Sequence, residues 1–174
     1  MPHLDAAYNL ARWLTRSESD AEDVVQEACL RAFKYFDGFA DENPAAWLLA
    51  IVRNSCFTWL RRNRPAREIV DSDAIEERDA AGGAEPVLSG GSRALASDPE
   101  SLLIARRDEQ RASELVAALP AEYREVIVLR EIEELSYQEI AGIVGVPIGT
   151  VMSRLSRARK RLQDTWHRQA QHGA

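Results

Sequence analysis

Two cysteines and three histidines in 174 residues leave little material for several kinds of chemistry. Cys29 and Cys56 are too few to staple a disulfide framework and lack the close spacing of a metal clasp. His3, His167 and His172 stand apart from one another and from both thiols, so neither a metal site nor a cofactor is expected. Gly-rich phosphate loops and any grouping of Ser, His and Asp are missing as well, which points away from a hydrolase, a kinase or any other enzyme. There is no apolar run near the roughly 20 residues that a membrane span needs. Nor does a basic start lead into an apolar stretch and a cleavage site. A cytoplasmic protein of one or two small domains, not inserted in a membrane, is the expectation.

What is present is charge, unevenly placed. The chain carries 22 basic and 28 acidic side chains, a net of -6. Residues 1–65 and 106–174 are each close to neutral, whereas residues 66–105 hold 3 basic and 9 acidic groups. Arg53, Arg61, Arg62 and Arg64 follow one another with no acid among them, and so do Arg154, Arg157, Arg159, Lys160 and Arg161. Two basic patches therefore flank an acidic middle. That middle, about 65–97, combines acids with Gly82-Gly83, Pro86 and Ser89-Gly90-Gly91-Ser92. It has too little apolar surface to order itself, and reads as a flexible tether.

Three helices are expected before the tether. The first, about Leu4 to Thr15, sets Leu4, Ala7, Tyr8, Ala11 and Leu14 on one face. The second is expected to start at Ser19 as N-cap, with Glu22 completing a capping box. Its buried stripe would be Val25, Ala28, Cys29, Ala32, Phe33 and Phe36, and Gly38 would stop it. The third opens with Asn43 as cap and Pro44 at the first helical position, and ends before Pro65. Leu48, Ile51, Val52, Ser55 and Trp59 should face inward. After the tether, Asp98-Pro99 opens a helix that Pro120 ends. A helix of about Ala121 to Glu131 follows, then a short one capped by Ser136 and Glu139, then a last one from about Ile148 to Arg168. The fold class is all-α: two small helical domains joined by a flexible acidic linker.

Three faces carry candidate chemistry. The second helix presents Asp23, Gln26, Glu27 and Leu30 opposite its apolar stripe. Spacing alone favours a solvated acidic face near the positive end of the helix dipole. On the third helix, Trp47, Ala50, Asn54, Phe57, Thr58, Arg61 and Arg62 interleave aromatic and basic groups. Such a surface binds single-stranded DNA by stacking bases and neutralising phosphates. Equally, Trp47 and Phe57 close the core and the arginines are solvated. The third face is the most specific. Ala141, Gly145 and Val151 have the spacing of a helix-turn-helix, and Thr150, Ser153, Arg154, Arg157, Lys160 and Arg161 lie where a major groove would be read.

Four stretches, Asp20 to Glu27 (DAEDVVQE), Ala46 to Asn54 (AWLLAIVRN), Leu119 to Glu125 (LPAEYRE) and Leu135 to Ala141 continuing through Gly149 to Arg159 (GTVMSRLSRAR), together resemble the extracytoplasmic-function sigma factors of bacterial RNA polymerase. The resemblance covers nearly everything but the tether. It implies a sigma region 2 domain over 1–64, a linker over 65–97 and a region 4 domain over 98–174. It further implies that Asp23, Gln26, Glu27 and Leu30 meet the clamp helices of the largest polymerase subunit. The stretch from Phe39 to Pro44, with Trp47, Asn54, Phe57, Thr58, Arg61 and Arg62, would melt and hold the -10 element. Thr150, Ser153, Arg154, Arg157, Lys160 and Arg161 would read the -35 element, with region 4 docked on the polymerase flap. An anti-sigma partner and a role in stress-responsive transcription are implied too. Ala50 and Met152 depart from the pattern, standing where many members carry a basic residue. The competing expectation is a stand-alone helix-turn-helix regulator that binds an operator as a homodimer without polymerase.

Overall fold

The structure, a computed structural model, describes residues 2–35, 43–63 and 99–172. Phe36, Gly38, Phe39 and the tether of residues 65–97 lie outside them. Every described element is helical, in the order α1 (Pro2–Thr15), α2 (Glu18–Tyr35), α3 (Pro44–Asn63), α4 (Pro99–Ala118), α5 (Ala121–Ile127), a π-helical turn (Val128–Ile132), α6 (Tyr137–Val144) and α7 (Ile148–His172). None of these helices is long and apolar enough to cross a membrane. Helices α1 to α3 pack on one another as a first unit, and α4 to α7 form a second around α7.

Local sequence explains most helix ends. Asn43 Oδ1 accepts the Ala46 N–H at 3.0 Å, so α3 starts at Pro44 with its first turn capped. Ser136 and Glu139 form a complete capping box ahead of α6: the hydroxyl accepts the Glu139 N–H at 3.2 Å and the carboxylate accepts the Ser136 N–H at 2.9 Å. At the other end of α6, Gly145 turns the chain with φ of 76°. No heavy atom lies within 4 Å of where a β-carbon would stand there, so only the backbone conformation resists a side chain. Gly145→Ala is expected to lower unfolding free energy by about 1 kcal/mol, measured by urea titration of the far-UV circular dichroism. A change under a few tenths would mean that the turn does not hold α6 against α7.

The start and the buried stripe of α2 differ from expectation. Arg16 takes a left-handed conformation, φ 60°, directly after α1. This tight turn makes Ser17 the cap, with its hydroxyl accepting the Asp20 N–H at 3.4 Å, and draws Ser19 inside the helix. The buried positions of α2 are Ala21, Val24, Ala28 and Ala32; Val25 and Cys29 are half-buried, and Phe33 is 79% exposed. Small residues face α1 and α3 because they let the three helices approach closely. The larger apolar residues are displaced to the rim. In α3 the fully buried set is Leu49, Val52, Ser55, Cys56, Phe57 and Leu60, with Leu48, Ile51 and Trp59 only half-buried.

The two units also pack against each other, which no local pattern announced. Helix α6 lies on α3, while α5 and the π-helical turn lie on α1. One hydrophobic core runs without a break from Leu10, Leu14 and Val52 of the first unit to Val126, Ile140 and Leu155 of the second. Helix α5 sits at the middle of this core and is buried on every side.

Candidate nucleic-acid interface

Helix α7 presents its buried stripe, Val151, Leu155 and Ala158, to the rest of the second unit. Its other face holds the residues singled out for DNA. Ser153 and Lys160 are exposed, Thr150 and Arg157 are half-buried, and the Ser153 hydroxyl donates to the Thr150 carbonyl at 3.0 Å. The Arg161 guanidinium lies over the Tyr123 ring, 4.8 Å from its centre. Ile148 and Met152 add an exposed apolar edge at the head of the helix. Arg154 is different: only 14% of its side chain is exposed, and its Nη1 lies 3.6 Å from Glu125 Oε1.

On α3, Asn54, Arg61 and Arg62 are exposed, while Trp47 and Thr58 are half-buried. The Thr58 hydroxyl donates to the Asn54 carbonyl at 2.9 Å and accepts from Arg61 Nη2 at 3.3 Å. Phe57 does not share that surface. It is 9% exposed, and the Arg53 guanidinium covers its ring at 4.2 Å. In this arrangement no base can stack on Phe57. On α2, Asp23, Gln26, Glu27 and Leu30 are all exposed, and Glu27 pairs with Arg31 one turn along. Leu30 and Phe33, one turn apart, are exposed apolar residues on the same side. Phe39 lies outside the described residues. Of the candidate residues, Arg154 of α7 reaches the seam between the units at Glu125, and Asn54 of α3 adjoins it through Arg53.

The seam itself is polar at its centre. Glu125 of α5 is fully buried and accepts two hydrogen bonds from Arg53 of α3, from Nε at 2.8 Å and from Nη2 at 3.1 Å. This is a fork-to-carboxylate pairing, the strongest geometry available to that couple. Arg53 Nη1 also donates to Asn54 Oδ1 at 3.3 Å. Burial pushes the Glu125 carboxyl above the usual carboxylate range, and the hydrogen bonds and charge of Arg53, then the charge of Arg154, pull it back. The same burial, helped by the negative Glu125, pushes the Cys56 thiol up to about 12, so at neutral pH it is protonated and unreactive. Around the rim, Asn9 Nδ2 donates to Glu133 Oε1 at 3.2 Å. The Asn43 side chain joins Ser136 in holding the Glu139 carboxyl below its ordinary value, Ser136 being the larger cause.

Sequence reasoning missed Arg124 and Glu125, although both lie in a motif it singled out. Arg124 is 1% exposed and donates to three main-chain carbonyls: Ala117 at 2.7 Å, Leu119 at 3.0 Å and Leu14 at 3.2 Å. The available signal was their position next to the apolar run Val126 to Leu129. A charged residue in a short helix that runs straight into an apolar stretch is drawn inside with it, and must then find partners.

Comparison with known proteins agrees with this geometry. The Sigma-70 region 2 family matches residues 1–66, and the Sigma-70, region 4 family matches residues 109–162. The ECF RNA polymerase sigma-E factor of Escherichia coli is 36% identical over 146 residues, spanning 83% of this chain and 73% of that protein. The ECF RNA polymerase sigma factor SigE of Mycolicibacterium smegmatis is 33% identical over 166 residues, 93% of this chain and 58% of that one. Among solved structures, the sigma factor RpoE in complex with the anti-sigma factor NepR from Bartonella quintana is similar at TM-score 0.62 and 31% identity, covering 93% of this chain and 90% of that one. CnrH in complex with the cytosolic domain of CnrY gives 0.63 and 26%, covering 95% and 83%. With both units matched in order and relatives above 30% identity across most of its length, the chain belongs to the extracytoplasmic-function family of RNA polymerase sigma factors.

Proposed function

We propose that this chain binds bacterial core RNA polymerase in the cytoplasm and directs initiation at promoters with two recognised elements. The observation that carries the reading is that one chain holds, in order, a region 2 unit and a region 4 helix-turn-helix unit. Promoter-specific initiation needs both a reader of duplex DNA and a holder of melted strand. In this reading the α2 face of Asp23, Gln26, Glu27 and Leu30 docks on the clamp helices of the largest subunit. The exposed Leu30 and Phe33 supply apolar area beside the Glu27 and Arg31 pair.

Helix α7 reads the -35 duplex through Ser153, Arg157 and Lys160, flanked by Thr150, Arg154 and Arg161. The melted -10 strand lies along Trp47, Asn54, Thr58, Arg61 and Arg62, with Phe39 in the preceding stretch. Phe57 serves as the floor on which Arg53 rests. The structural relatives were solved with anti-sigma partners, and a partner of that kind is proposed to govern this chain. The role is that of an initiation factor, with no chemical step of its own.

The test is transcription from fragmented genomic DNA by core polymerase with and without the purified protein, followed by sequencing of transcript 5′ ends. Protein-dependent starts that share a pair of upstream elements are expected. Tight operator binding by the protein alone, with no protein-dependent starts, would overturn the reading.

A further inference from the structure

The pair at the centre of the seam joins the two units through groups of unequal freedom. Glu125 and Arg154 belong to the same unit and stay near one another however the units are placed. Arg53 belongs to the other unit, yet it takes both well-formed hydrogen bonds of the carboxylate, at 2.8 and 3.1 Å, and leaves Arg154 at 3.6 Å. Arg53 also adjoins the α3 residues proposed for the melted strand, since its Nη1 reaches Asn54 Oδ1 and its guanidinium seals Phe57. A guanidinium fork matches a phosphate as well as it matches a carboxylate. We propose that Glu125 is an internal substitute for DNA phosphate: it holds Arg53 and closes the two units together, and when they part Arg53 becomes a ligand for the backbone of the melted strand.

This proposal rests on the sigma-factor reading for its DNA and adds both a binding residue and a means of withholding it. Burial makes the carboxylate costly to keep ionised, so the pairing with Arg53 adds little net stability to the closed form. Opening must also part the apolar contacts of α6 with α3 and of α5 with α1, so a competitor that offers phosphate replaces Glu125 at Arg53 but has to offset that exposure as well. While closed, α6 covers part of α3, and Asn54, Phe57 and Arg53 are engaged with protein. Removing either partner strands a charge at the seam: Glu125→Gln leaves Arg53 and Arg154 facing one another, and Arg53→Gln leaves a fully buried carboxylate with only the longer contact.

The experiment uses the full chain in two measurements. Small-angle X-ray scattering should give wild-type protein a radius of gyration near that of a compact chain of its length, about 16 Å, and both single variants an increase of roughly 5 Å with unchanged helical circular dichroism. Fluorescence anisotropy with a labelled single-stranded DNA of mixed sequence should show Glu125→Gln binding about 10-fold more tightly than wild type at low salt. Adding Arg53→Gln to that variant should remove the gain. Folded variants as compact as wild type, or a gain that survives loss of Arg53, would overturn the proposal. If Glu125→Gln does not fold, the scattering of Arg53→Gln, whose side chain reaches the surface, decides the matter. Scattering needs neither polymerase nor promoter, so failure here and failure of the transcription experiment are separate results.

Discussion

Making the α2 face basic, by Gln26→Lys (an added charge) with Glu27→Lys (a reversed one), should reduce affinity for core polymerase on the order of 100-fold while leaving thermal unfolding within a degree or two of wild type. The asymmetry follows from where these residues lie. Both are exposed and contribute nothing to the buried stripe of Ala21, Val24, Ala28 and Ala32. The local loss is small, since the Glu27 pair with Arg31 is half-exposed and such surface pairs contribute little. Binding is another matter, because a reversed charge in a desolvated interface turns attraction into repulsion. Fluorescence anisotropy of labelled protein against purified core enzyme, with circular dichroism as the folding control, measures both effects. Retained polymerase affinity would remove the charged α2 residues from the docking surface and leave the exposed Leu30 and Phe33 to be tested on their own.

Residues whose role depends on near neighbours were the legible ones. Asn43 and Pro44, Ser136 and Glu139, and Gly145 each act on a helix end within about one turn, so their chemistry is written in consecutive positions. The helix-turn-helix could be read for the same reason. Helix α2 shows where such reading slips. Both Ser17 and Ser19 precede a helix-compatible run, and only the left-handed Arg16, set by the packing of α1 on α2, selects the first. Ala28 and Ala32 belong to both the expected and the observed stripe, but the buried face is turned toward Ala21 and Val24, because three closely approaching helices favour small residues at the contact and leave Phe33 outside. The seam was beyond local reading altogether. Arg53 and Glu125 are 72 residues apart, and no periodicity on α3 or α5 encodes their meeting.

Arg124 carries the largest expected effect on stability, and for a reason unlike that of Glu125. Its guanidinium donates to the carbonyls of Ala117 and Leu119 where α4 ends, and to that of Leu14 in the last turn of α1. These are helix C-termini, where carbonyls lack intrahelical donors and the dipole is negative, so one buried cation serves two of them. Arg124→Met preserves much of the volume but leaves those acceptors dry, at a cost of 1 to 3 kcal/mol for each group left unsatisfied. The total should be about 4 kcal/mol after relaxation, read as a lowered urea midpoint with an unchanged slope. Arg124→Lys should recover less than half of this, because an ammonium keeps the charge but cannot span three acceptors with a planar fork. The contrast with the seam pair is the discriminating feature. Loss of Glu125 should open the molecule with little change in helix content, whereas loss of Arg124 should unfold it at lower denaturant, since two of its three bonds lie within the second unit and survive any separation of the units. A shift below about 1 kcal/mol for Arg124→Met would show that water replaces the guanidinium at those carbonyls, and that α5 is held by its apolar neighbours alone.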